Sequence, residues 1–189
     1  MSNRFDDRRS TELEDKAHAE AVQHFAEHLK QFPASREAVD RLERDIAKIG
    51  LAANMAASKP TLKENFIQAD DGAQWHKDVE LMENIFLCHR PITGGAEYAV
   101  VEHFPARSTN EIWNRGWNAV EVLKAFAQEQ RQALQIWTED MTAQVKEFLV
   151  EKYPGQDMSR VADAVMRRFT HSVSHEEVQK QNRGHSIRV

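Results

Sequence analysis

Residues 110–153 read NEIWNRGWNAVEVLKAFAQEQRQALQIWTEDMTAQVKEFLVEKY, with no proline and one glycine, Gly116. An apolar residue recurs at every seventh position: Trp113, Val120, Ala127, Leu134, Met141 and Phe148. The spacing predicts one amphipathic helix, roughly 60 Å long at about 1.5 Å per residue, whose seam has to be buried. The second seam position is mixed: Gly116, Leu123, Gln130, Trp137, Gln144. A two-stranded coiled coil wants both positions apolar, so the segment is expected to be the spine of a single-chain bundle. Ser108 and Thr109 are placed to cap it, and Tyr153-Pro154-Gly155 to end it.

Outward from this spine the remaining apolar stripes also follow helical spacing. Thr11-Glu-Leu-Glu14 reads as a capping box, followed by Leu13, Val22, Phe25, Leu29 and Phe32. Pro33 is expected to end that helix, and Ser35 to cap a second one carrying Val39, Leu42, Ile46, Ile49 and Ala53. The pair reads as a helical hairpin. Thr61-Leu-Lys-Glu64 is a second capping box, and Trp75, Val79, Met82 and Phe86 continue as a helix that stops at Arg90-Pro91. Ala96–Phe104 has β-branched character but no visible pairing strand, and is read as a short helix. A last helix starts near Asp157 or Ser159 and carries Ala162, Val165, Phe169 and Val173.

The expected fold is therefore all-α, a bundle of five to six helices built around one long central helix at about 110–153, with a flexible basic C-terminal tail. Residues 1–9 read as a disordered leader, 10–181 as a single helical domain and 182–189 as the tail.

The bulk numbers agree with a folded body. The chain has 189 residues, 41% of them apolar, and no apolar run long enough to span a bilayer. The polar N-terminus shows no signal-peptide core, and the single cysteine, Cys88, has no internal partner for a disulfide. Together these predict a cytoplasmic location. The net charge of −5 is uneven: residues 160–189 hold six basic against three acidic side chains, leaving −8 for the rest. An acidic body with a basic end suggests an interaction arm.

Three chemistries compete. His24-Phe-Ala-Glu27-His28 has the H-x-x-E-H order of the inverted zinc metallopeptidases, and on a helix His24 and His28 would share one face, with Glu27 as a base. The similarity covers five residues. It makes zinc the one cofactor in view and a metal-dependent hydrolase one alternative. The basic C-terminal segment makes a nucleic-acid-associated factor another, although it lacks interleaved aromatics. His171 and His175 form a second i, i+4 pair beside it. The leading expectation is a non-enzymatic adaptor, regulator or inhibitor that binds another protein, or a second copy of itself. Trp113, Arg115 and Trp117 would supply the contact and Arg167, Arg168, Arg183 and Arg188 an electrostatic arm. Cys88 reads as a buried, inert thiol.

Overall fold

The computed structural model describes residues 3–59, 65–104, 106 and 110–170. Four helices and five strands follow in the order α1 (Asn3–His24), α2 (Ala26–Ala57), β1 (Phe66–Gln68), β2 (Gln74–Met82), β3 (Ile85–Ile92), β4 (Gly95–Glu102), β5 (Glu111–Gly116), α3 (Ala119–Lys152) and α4 (Ser159–Thr170). The fold is mixed α and β, which corrects the all-α expectation: an antiparallel sheet occupies the middle of the chain.

The chain divides into two compact units, Met1–Glu37 with Leu134–Val189, and Ala38–Ala133. The first unit is helical. Its core joins Ala17, Ala21, Phe25 and Leu29 to Met141, Val145 and Leu149 of α3 and to Val161, Ala162 and Val165 of α4. Two expectations fail at its N-terminal end. α1 begins at Asn3, so Thr11 lies inside a helix rather than at its cap. The predicted hairpin at Pro33 is absent, because α2 runs through Pro33. The irregularity falls instead at Phe25, where the ladder still continues: Phe25 N–H donates to Ala21 C=O, and Leu29 N–H to Phe25 C=O, both at 3.0 Å. Leu29, Val39 and Leu42 are buried on either side of Pro33. At about 1.5–3 kcal/mol each, their burial outweighs the roughly 3 kcal/mol cost of an interior proline.

The second unit is an antiparallel meander, β1-β2-β3-β4-β5, backed by the C-terminal half of α2 and the N-terminal half of α3. Two-residue loops make the hairpins. Glu83-Asn84 joins β2 to β3 with Asn84 at φ 61°, and Thr93-Gly94 joins β3 to β4 with Gly94 at φ 85°. Both are left-handed conformations that Asn and Gly adopt at least cost and that suit hairpin twist. Period-2 alternation then sorts the side chains. Leu87, Tyr98 and Val100 face α2 and α3, where Leu42, Leu123 and Phe126 cover them. Cys88, Ala99 and Val101 face the other way and pack with Ile67 and Trp75.

Helices α2 and α3 are held close at one point. A Cβ added to Gly50 of α2 would lie 2.5 Å from Val120 Cγ2 of α3, so only glycine fits there. Arg131 of α3 then clasps Glu43 and Asp40 of α2.

Asn110, just before β5, is bonded to the end of β1. Asn110 Nδ2 donates to Gln68 C=O at the end of β1, and Asp70 N–H donates to Asn110 C=O at 3.1 Å. Asn110 Oδ1 also accepts from Phe104 N–H and lies 2.7 Å from His103 Nδ1. The residue expected to open the long helix thus fastens the first strand to the last. The helix starts nine residues later, where Asn118 Oδ1 accepts from the backbone N–H of Val120 and Glu121. Asn118-Ala-Val-Glu121 is the true N-terminal signal. The two breaks around Gly116 and Trp117 end the strand there.

Candidate functional site

The helix-facing side of the sheet carries a buried polar trio. His76 of β2 pairs directly with His89 of β3 across the strands. Asp78 lies two residues beyond His76, on the same face by strand alternation. A register shift between Lys77 and Val79 marks a bulge at Asp78, a device that re-aims a side chain. The Asp78 carboxylate sits 3.0 Å from His76 Nδ1 and 2.8 Å from His89 Nδ1. A carboxylate only accepts, so both Nδ1 atoms donate to it. The Asp78 side chain is fully buried, that of His89 is 1% exposed and that of His76 12% exposed. The two imidazoles tilt against each other at a centroid distance of 4.9 Å, and Phe66 meets His76 edge-on. Tyr98, opposite His89, donates its hydroxyl to Asn54 Oδ1 of α2 at 2.7 Å. Burial, with the Asp78 charge second, raises the Tyr98 pKa.

The opposite face of the same strands carries a charged network over Trp75. Arg90 Nε donates to Glu97 at 2.6 Å and Arg115 Nε to the other oxygen of Glu97 at 2.9 Å. Both guanidinium groups also approach Asp71, at 3.7 and 3.4 Å. They lie 4.9 and 5.6 Å from the Trp75 ring, within cation–π range. Hydrogen bonding from Arg115, then Arg90, holds the Glu97 carboxyl below its ordinary range against the opposing effect of burial. Cys88, on this face, is buried, and burial pushes its thiol pKa well up. It is not an ionisable nucleophile at neutral pH.

A third feature lies along β5, which closes the strand order and has no strand on its outer side among the described residues. Trp113 is 42% exposed and Trp117, just beyond the strand, 70% exposed. They stand on and after a strand, which corrects their placement on a helix. Trp113 is braced: Nε1 donates to Glu102 at 3.1 Å, and the ring meets buried Phe126 edge-on. Arg115 alternates to the other face and gives its cation to Glu97 and Asp71. Beneath the strand the Asn114 Oδ1 atom is buried without a partner.

The remaining residues singled out by sequence lie in the helical unit. His24 is the last residue of α1 and stacks on Phe148 at 4.5 Å. Glu27 pairs with Lys30 at 2.7 Å, which lowers the Glu27 pKa. His24, Glu27 and His28 do not gather into a three-ligand set; among the described residues His76, Asp78 and His89 do. Arg167 and Arg168 are exposed in the last turn of α4, with Arg167 Nε donating to Asp163 C=O. Arg183 and Arg188, the rest of the tail, and His171 and His175 lie outside the described residues.

Sequence reasoning misses the trio because it continues a helix through Trp75, Val79, Met82 and Phe86 to Arg90, and on a helix His76 and Asp78 diverge by about 200°. Read as a strand, His76-Lys77-Asp78 places both on one face. The Glu83-Asn84 turn then signals the hairpin that returns His89 to them. No family model, curated protein or solved structure matches this chain.

Proposed function

We propose that the chain is a polypeptide-binding module without catalytic activity, acting as an adaptor, regulator or inhibitor of another protein. One observation carries the reading: two tryptophans stand exposed along the outermost strand of a sheet, Trp117 at 70% exposure. Large exposed aromatics on a soluble surface are unusual and concentrate binding energy. An edge strand also offers unpaired main-chain donors and acceptors, so an extended segment of the partner adds to β5 while its side chains cover the indoles. The brace from Glu102 and Phe126 fixes the Trp113 ring before binding, which lowers the ordering cost.

The test compares wild type with Trp117→Ala and a Trp113→Ala/Trp117→Ala double variant, each confirmed folded by circular dichroism. Partners retained by immobilised wild type are expected to drop out with the double variant. Amides of Glu111–Gly116 are expected to gain exchange protection in the wild-type complex. Full retention of every partner by the double variant sinks the reading. So does a change from dimer to monomer in the purified protein alone, since the aromatics would then serve self-association.

A further inference from the structure

The geometry points to a binding site for one divalent first-row transition-metal ion at His76, Asp78 and His89. Two imidazoles and one carboxylate are the donor set such ions prefer, whereas magnesium and calcium favour oxygen alone. One donor atom from each of the three residues lies within 4.8 Å of the others. The carboxylate-to-Nδ1 separations of 3.0 and 2.8 Å approach the roughly 3.0–3.4 Å between neighbouring ligands around an ion bound at about 2.0–2.2 Å. The carboxylate-to-Nδ1 spacings need widen only slightly, while the separation between the two imidazole donors, within 4.8 Å, closes as both reach one ion.

Charge argues in the same direction. Asp78 is fully buried, and its hydrogen-bond partners are the two imidazoles. Burying a carboxylate is costly unless a cation or hydrogen bonds compensate it. An ion in the place of the two Nδ1 hydrogens, which move to Nε2, supplies that cation. Among the described residues the protein donors number three, which leaves at least one coordination position for water. His76, the member of the trio with solvent access, marks the side from which ion and water enter.

The bulge at Asp78 gives the site its shape. It turns the carboxylate into the angle between two cross-strand imidazoles. Both histidines belong to one hairpin, so the ligands are set by a local turn. On the helix side Tyr98, opposite His89, is held by its hydrogen bond to Asn54 of α2.

The test uses tag-free, chelator-washed, full-length protein titrated with zinc chloride by calorimetry. Binding of one equivalent is expected, and cobalt substitution is expected to give visible bands of a four- or five-coordinate ion. Asp78→Asn and His76→Gln, which keep side-chain shape, are expected to weaken binding by more than the about 10–100-fold typical of an outer-shell change. Nitrogen chemical shifts of the His76 and His89 rings in wild type follow ligation directly, even where a variant fails to fold. Substoichiometric zinc, unshifted rings, or loss of binding with His24→Ala/His28→Ala instead of Asp78→Asn would each overturn the site. Trp117→Ala is expected to bind zinc as wild type does, so the metal site stands or falls separately from the docking strand.

Discussion

Two polar clusters lie back to back on the strands β2, β3 and β4, and they differ in charge balance. Over Trp75, Arg90 and Arg115 meet Asp71 and Glu97, two cations against two anions. On the helix side, Asp78 meets two imidazoles that are neutral unless protonated. The first cluster is complete with the side chains present. It reads as structure: paired charges roofing a buried indole. The second joins one carboxylate to two imidazoles, a donor set that suits a transition-metal ion, and that donor type separates the proposed ligand site from a stabilising ion network. Buried charge alone does not make the distinction, because both clusters have it.

The largest expected effect breaks the arginine side. Trp75→Ala removes the surface on which both guanidinium groups rest and is expected to cost about 3–5 kcal/mol in denaturant unfolding. Next, zinc in free excess of about 100 times its Kd is expected to stabilise wild type by about 2.7 kcal/mol and to leave Asp78→Asn unmoved. Glu97→Gln, by contrast, is expected to keep the zinc response while losing about 1–2 kcal/mol. The arginines reach solvent, so that cost falls below the about 3–5 kcal/mol of a fully buried pair. Its pH dependence sharpens the contrast. The folded pKa of Glu97 is depressed from an ordinary 4.5, so its contribution is present above that value and lost as pH falls through the lower folded one. Wild type and Glu97→Gln are therefore expected to converge in stability as pH falls below 4.5 and through the lower folded value. The smallest effect is Trp117→Ala, expected to shift stability by less than about 0.5 kcal/mol while abolishing partner capture. A large loss of stability there would mean the indole is structural.

The helices at the ends of the chain were legible, and the sheet between them was not. The heptad from Val120 to Phe148 does lie on a helix, and Pro154-Gly155 does separate it from α4. These segments are long, and a 3.6-residue period repeats enough times to be unmistakable. Trp113 fits the same register by coincidence, being seven residues before Val120 across a strand, Gly116 and a cap. The strands are six to nine residues long apart from the three-residue β1, and bulges at Asp78 and near Trp113 break their alternation. Ala96–Glu102 has β character in sequence, but its partner β3 reads as helix, so no pairing strand is visible for it. One wrong period therefore removed the evidence for the next strand. The metal ligands disappeared with it, since a set drawn from two strands is visible only once the hairpin is. Trp113 and Trp117 stand out by residue type alone, independent of secondary structure, although the sequence does not say that they are exposed.

Asn110 ties residues that are 42 positions apart in the chain, using its side chain toward Gln68 and its carbonyl toward Asp70. In a flat meander the outermost strands fray on their own schedules. Here β1 and β5 share a single clasp, so native-state hydrogen exchange should show them opening together, with matched free energies. Asn110→Ala should split that joint event in two. The clasp also sets the order of assembly: the central hairpins can form locally, but the sheet is sealed only by its latest and most distant meeting.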